Sequence, residues 1–355
     1  MQITDKAYAI RPGEEIDPTA VKIFLQENIT GLTGDITITQ FPSGYSNLTY
    51  LIDMNGRKMV LRRPPIGARV KAGHDMGREY KVLKALYPVF PYCPKPLAYT
   101  DDTSVIGAPF FVMEKLSGII LRKDLPRELS FSRDQAKNLC IALTDFLADI
   151  HAIDIKGAGL DFIGKPRGYV RRQVEGWAAR YRKARTDDAP DCEPIMTWLK
   201  DKMPKDTSHP TIVHNDYKFD NVVLDPERPE KIIGVLDWEM ATCGDPLMDL
   251  GNSLAYWVEK NDPKEMQRIR TLPTNMEGAL TRQEILAHYE NQTGRSTREF
   301  DFYYCFGLFR LAVIAQQIYN RYYHKITNNK RFASLIFVVT GLEKTALKVI
   351  ESSNL

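Results

Sequence analysis

The hydrophobic positions of this chain change rhythm near residue 115. Residues 35–41 alternate apolar and polar side chains, as a half-buried strand does. The turn-rich stretch 42–47 breaks that pattern. Residues 48–54 and 58–61 then flank Asn55-Gly56, a strong signal for a two-residue hairpin. Residues 74–86 place Met76, Tyr80, Leu83 and Leu86 on one helical face, with Pro88 just beyond. Apolar runs at 96–99 and 110–113 follow. The pattern predicts a small antiparallel β-sheet lobe with one helix over residues 1–115.

Beyond Leu116-Ser117-Gly118 the period is helical. Residues 132–150 carry Leu139, Leu143, Phe146 and Ile150 at helical spacing, after a capping-box-like start at Ser132 and Gln135. Residues 169–185 place Val170, Val174, Trp177 and Tyr181 on one stripe. Further helices are predicted at 246–259, 281–292, 298–321 and 332–351. Residues 221–224 and 231–236 interrupt them as a second hairpin around Asp225–Pro229. The prediction is an α+β protein whose second, mainly helical lobe spans residues 116–355.

Composition narrows the function classes. The 355 residues are 43% hydrophobic and 26% charged, with a formal net charge of +3. So small an excess gives no electrostatic reason to expect nucleic acid or a membrane surface as partner. Cys93, Cys140, Cys192, Cys243 and Cys305 are scattered, with no C-x-x-C spacing, and read as free thiols of a reducing compartment. The first residues lack the apolar core of a secretory signal, and no run of about 18 apolar residues offers a membrane span. A cytoplasmic protein is expected.

The chemistry concentrates in Ile212-Val-His214-Asn215-Asp216-Tyr-Lys218-Phe-Asp220-Asn221 and in Val235-Leu236-Asp237-Trp238. Phosphoryl transfer from ATP needs a carboxylate to accept the proton of an attacking hydroxyl, a cation beside the moving phosphoryl, and an amide and a carboxylate to hold Mg²⁺. The spacing matches the kinase catalytic loop H-x-D-x-x-x-x-N, and Asp237 stands where the kinase metal-binding Asp stands. Asp216 and Lys218 are the candidate catalytic residues, and Asn221 and Asp237 the candidate metal ligands. Asp237 closes an apolar run, where a buried carboxylate needs a partner; a hard cation bridging to triphosphate oxygens supplies one.

With Gly244-Asp245-Pro-Leu-Met-Asp249-Leu-Gly251, these segments resemble the aminoglycoside phosphotransferase and choline kinase family of small-molecule kinases, and more closely the branch associated with acyl-CoA dehydrogenases. The resemblance implies a two-lobed, protein-kinase-like fold with ATP in the interlobe cleft. It implies that Gly44, Ser46 and Asn47 lie in a phosphate-covering turn, and that Arg62 stands in for the kinase strand lysine. Glu79 would hold Arg62 from the helix, with Arg63 as the fallback partner. The backbone carbonyl of Glu114 and the N–H of Leu116 would read adenine. Asp245 reads as a helix N-cap before Pro246, Asp249 as a brace for the catalytic loop, and His151 and His214 as structural.

The acceptor is less legible. Lys165, Arg167, Arg171, Arg172, Arg180, Arg182, Lys183 and Arg185 form a basic run, which is either a solvated helix face or an anion-binding rim. Neither reading favours a polycationic antibiotic. Tyr303, Tyr304, Phe306, Phe309 and Tyr319 line either an apolar pocket or the core. The expected activity is ATP- and Mg²⁺-dependent phosphorylation of a small-molecule hydroxyl, with an anionic hydroxy acid or hydroxyacyl thioester preferred. An aminoglycoside or amino-alcohol kinase and a non-catalytic nucleotide-binding module are the alternatives.

Overall fold

A computed structural model describes residues 6–42, 47–65 and 75–355. Along the chain run α1 (Pro18–Asn28), β1 (Ile36–Gln40), β2 (Leu48–Met54), β3 (Arg57–Arg63), α2 (Met76–Leu86), β4 (Pro96–Thr100) and β5 (Phe110–Glu114). Then come α3 (Arg133–Ala152), α4 (Tyr169–Ala184), α5 (Glu193–Asp201), β6 (Thr211–Val213), β7 (Val222–Leu224), β8 (Ile232–Val235) and β9 (Thr242–Gly244). The helices α6 (Pro246–Ala255), α7 (Lys264–Ile269), α8 (Arg282–Thr293), α9 (Phe300–Tyr323) and α10 (Leu335–Ser352) complete it. The chain forms two compact units. The first comprises Met1–Ile120, Ile155–Phe162 and Asn221–Ala241, and the second Leu121–Asp154, Ile163–Asp220 and Thr242–Leu355.

The first unit is built on an antiparallel sheet of order β1-β2-β3-β5-β4. Asn55 and Gly56 join β2 to β3 with φ of 54° and 83°, the paired positive values that a tight hairpin turn requires. Strict alternation along β2 sends Leu48, Tyr50, Ile52 and Met54 into a core shared with Val21, Phe24 and Leu25 of α1 and with Phe110 and Val112 of β5. The opposite face carries Arg62, and α2 packs against β4 and β5. The lobe expected to hold one helix holds two. α1 starts at Pro18 behind Asp17, whose carboxylate accepts the Thr19 N–H, and its buried residues sit at i, i+3 and i+4.

The hairpin of β7 and β8 packs with this sheet. Ile119 exchanges both backbone hydrogen bonds with Leu224 (2.9 and 2.8 Å), and Val235 N–H donates to the Tyr92 carbonyl at 2.7 Å. Trp238, fully buried, sets its ring 6.0 Å from that of Phe90. A Cβ on Gly118 would stand 2.3 Å from the Leu224 carbonyl oxygen, so only glycine permits this approach.

The second unit is mainly helical. α3 and α8 open with capping boxes, Ser132 with Gln135 and Thr281 with Glu284. α9 packs against α4, α6 and α10. Phe302, Phe306 and Phe309 are buried there, which places most of the aromatic stripe of α9 in the core. The short ribbon β6–β9 carries the chain into the loop that follows Val213.

Candidate active site

In the second unit, the loop after β6 is fastened from several directions. Asp249, wholly buried in the first turn of α6, accepts the N–H groups of His214 and Asn215 at 2.6 and 2.7 Å. Burial opposes its charge, but His151, and His214 through its charge and its N–H, hold its carboxyl below the usual range. His151 lies at 3.3 Å from Asp249 and 2.7 Å from the Tyr289 hydroxyl. Asn215 adopts a left-handed conformation, φ 66°. Its side-chain oxygen accepts from Tyr169 (3.0 Å), and its carbonyl accepts from Arg310 (2.8 Å). Tyr217 donates to the Leu143 carbonyl at 2.9 Å and accepts from Ser253 at 2.7 Å.

This frame presents Asp216 and Lys218. The Lys218 ammonium lies 2.5 Å from Asp216 and 3.3 Å from Asp220, and 5.3 Å above the Tyr256 ring. Burial works against its charge, yet the neighbouring carboxylates, Asp216 first, raise its pKa and keep it protonated. Asp216 and Lys218 side chains keep 22% and 12% of their exposure, enough for contact with a bound molecule.

The first unit holds a second cluster. Val222 pairs with Val235, and the Asn221 carbonyl accepts the Leu236 N–H at 2.8 Å. Asn221 and Asp237 therefore stand at the same end of the β7–β8 ribbon. Asp237 is also left-handed, φ 68°, a conformation that costs a non-glycine residue energy and that clusters at functional positions. Its carboxylate accepts from both terminal nitrogens of Arg62 at 3.1 Å. Arg62 also donates to Glu79 at 2.6 Å and to Glu239 at 3.0 Å, and Glu239 accepts the Asn47 amide at 2.5 Å. Burial would lower the pKa of Arg62, but three carboxylates outweigh it, so the guanidinium stays charged. Burial pushes Glu79 up to about 7, with Asp237 adding to it and Arg62 opposing.

Of the residues singled out by sequence, Arg62, Glu79, Asp237 and Asn47 thus share one network, and Asp216 and Lys218 form another. Arg63 points to the other sheet face and donates to the Ile106 carbonyl at 3.1 Å. Glu114 ends β5, its N–H bonded to the Lys95 carbonyl at 2.8 Å, and Leu116 packs where a Cβ on Gly234 would meet it at 2.3 Å. Gly44 and Ser46 lie outside the described residues. Asp245 caps α6 by accepting the Leu247 N–H at 2.9 Å.

Three participants escaped the sequence reading. Glu239 lies two residues past Asp237, a spacing that sends both carboxylates to Arg62 from a 3-10 turn. Arg310 lies within α9 and Tyr256 just past the end of α6, where the surrounding apolar residues mask single polar members. The basic run is partly neutralised: Arg182 pairs with Glu193 at 2.7 Å and Arg171 with Glu175 at 3.6 Å, while Arg172 caps the carbonyls of Lys165 and Arg167.

Among the described residues, no group of three or more His, Cys, Asp or Glu side chains is arranged to hold a metal ion alone. A carboxylate and a carboxamide at one ribbon end do fit Mg²⁺, which takes one or two protein oxygens and completes its shell with phosphates and water. No described helix is long and apolar enough to cross a membrane.

A rat protein, acyl-CoA dehydrogenase family member 11, is 33% identical over 91% of this chain, which spans 42% of that relative's length. A Ralstonia eutropha protein assigned as an aminoglycoside phosphotransferase superposes with a TM-score of 0.81 at 28% identity, covering 96% of this chain and all of the other. A thermostable aminoglycoside phosphotransferase in ternary complex with ADP and hygromycin B shares the fold, with a TM-score of 0.59 at 14% identity over 94% of this chain and 99% of its own. The α+β architecture is that of the kinase-like phosphotransferases. The model of the phosphotransferase enzyme family matches residues 37–284, most of the sequence, and the chain belongs to that family.

Proposed function

We propose that this protein transfers the γ-phosphoryl group of ATP, with Mg²⁺, to the hydroxyl of a small molecule. The observation that carries the reading is the Asp216–Lys218 pair at 2.5 Å, presented by a loop whose backbone is bolted to Asp249 and Arg310. Asp216 accepts the hydroxyl proton as the oxygen attacks phosphorus. Lys218 faces the moving phosphoryl and offsets its charge. Asn221 and Asp237 hold Mg²⁺, which when bound draws charge from the phosphate oxygens. Arg62, aimed by Glu79 and Glu239, pairs phosphate oxygens with its planar fork. Gly44, Ser46 and Asn47 cover the phosphates, and the backbone of Glu114 and Leu116 reads adenine. The ADP held by the aminoglycoside phosphotransferase of the same fold supports a nucleoside triphosphate as donor.

The preferred acceptor is an anionic hydroxy acid or hydroxyacyl thioester. Two features support it: the basic character of α4 and the acyl-CoA dehydrogenase name of the rat relative. An aminoglycoside or amino alcohol would instead need acidic side chains around its cationic groups.

The test is an ADP-release screen across hydroxyacyl thioesters, hydroxy acids, sugars, aminoglycosides and amino alcohols. Release with the first two classes supports the proposal, and release confined to aminoglycosides or amino alcohols replaces the acceptor. ATP binding without release on any acceptor overturns the kinase reading in favour of a nucleotide-binding module.

A further inference from the structure

Trp177 of α4 receives two guanidinium groups. The guanidinium carbon of Arg180 lies 4.5 Å from the centre of its ring and that of Arg310 lies 5.2 Å from it. The two residues differ in setting. Arg180 is exposed on α4, whereas Arg310 is 3% exposed on α9 and donates to the carbonyl of Asn215, the residue before Asp216. A chain of contacts therefore runs from the protein surface through one indole to the catalytic loop.

The charges along this chain are of one sign. The two guanidinium carbons lie within roughly 10 Å of each other, which is about one screening length at 0.1 M salt, so both act on an anion placed beside the ring. Arg171 and Arg182, also on α4, are turned to Glu175 and Glu193, while Arg180 forms no ion pair among the described residues. Contact with the indole restrains the Arg180 guanidinium, which lowers the ordering cost of a bidentate contact.

We propose that Arg180, with Trp177 as its platform and Arg310 as the buried cation behind it, binds the anionic group of the acceptor, a carboxylate or phosphate, and so sets acceptor specificity. The inference rests on the kinase reading for the word acceptor, but anion binding is measured without turnover. Carboxylate and phosphate have different sources, a free hydroxy acid or a coenzyme A thioester, and each has its own arm in the experiment.

Calorimetric titration with 3-hydroxybutyrate and with 3-hydroxybutyryl-coenzyme A is made on the whole chain, on Arg180→Glu and on Arg180→Lys. At least one anion is expected to bind the unaltered protein. Charge reversal weakens that binding about tenfold or more, and the lysine variant, which keeps the charge, recovers most of it. If either anion is also turned over, Arg180→Glu raises its KM more than it lowers kcat. Equal affinity in Arg180→Glu and the unaltered protein, or binding of neither anion, overturns the proposal. In the first case ADP release with either substrate leaves the kinase reading standing. Binding that charge reversal weakens, with no ADP release on any acceptor, supports the anion site and sinks the kinase reading alone.

Discussion

Both terminal nitrogens of Arg62 reach one carboxylate oxygen of Asp237 at 3.1 Å, across 175 positions of sequence. The same guanidinium holds Glu79 at 2.6 Å, and both residues of that pair are buried. Arg62→Ala would leave Glu79 and Glu239 without their shared cation. At pH 8 the loss in a urea melt is expected to be about 3 kcal/mol or more, because an uncompensated buried charge is costly. Arg62→Lys keeps one contact but cannot fork across three carboxylates, and should fall between the two. A melt of Arg62→Ala that superimposes on the unaltered protein would show that the network adds nothing to stability.

The titration of Glu79 sets a second expectation. Burial raises its carboxyl from 4.5 to about 7, so the folded chain binds this proton more tightly than the unfolded chain. The stability this contributes is full below pH 4.5 and is lost as pH rises through about 7, at no more than about 1.4 kcal/mol per pH unit. Glu79→Gln should flatten the pH dependence of unfolding in that window. An unchanged slope would assign the proton elsewhere.

Asp216→Asn keeps the size of the side chain and removes the proposed proton acceptor. ADP release is expected to fall by roughly 10² to 10⁴, the usual worth of a positioned general base. ATP affinity by calorimetry should change by less than a few fold. Undiminished turnover would remove Asp216 from the mechanism.

Asp249 acts on the same loop from behind. Asp249→Asn replaces an acceptor of two N–H groups by a side chain that accepts through one oxygen only, and the cost is expected at about 2–3 kcal/mol. Hydrogen exchange at the His214 and Asn215 amides should quicken. Exchange as slow as in the unaltered protein would show that other contacts hold the loop.

The close approach of α6 and α9 is set by two glycines. A Cβ on Gly307 would sit 2.2 Å from the Gly251 carbonyl oxygen, a backbone atom with nowhere to go. Gly307→Ala should destabilise by about 1–3 kcal/mol or more. Gly176→Ala, whose new Cβ would meet only the end of Arg180 at 3.7 Å, should be neutral or stabilise by up to about 1 kcal/mol. The thermal midpoints of the two variants should move in different directions or by very different amounts.

What sequence disclosed followed the range of the interactions involved. Asn55-Gly56 and the alternation of Leu48, Tyr50, Ile52 and Met54 are local signals, and β2 and β3 form where they point. Asp216, Lys218 and Asn221 lie within six residues, so their spacing alone suggested the proposed chemistry. Glu239 and Arg310 were not visible because each acquires its meaning from a partner far along the chain, Arg62 and the Asn215 carbonyl. α1 and α5 were missed for another reason. Each is short, and Val21, Phe24 and Leu25, or Ile195, Met196 and Leu199, offer too few apolar turns to stand out from a loop.

The first unit is discontinuous: Asn221–Ala241 completes what Met1–Ile120 begins. During synthesis, Leu48 to Glu114 leave the ribosome long before the hairpin that pairs with Ile119 and carries Asp237. At about 5–20 residues per second, the nascent sheet waits several seconds with Arg62 lacking two of its three carboxylates. An amino-terminal fragment ending at residue 120 would therefore be an incomplete folding unit rather than a small domain, and any dissection of this protein into halves has to keep the hairpin with the sheet.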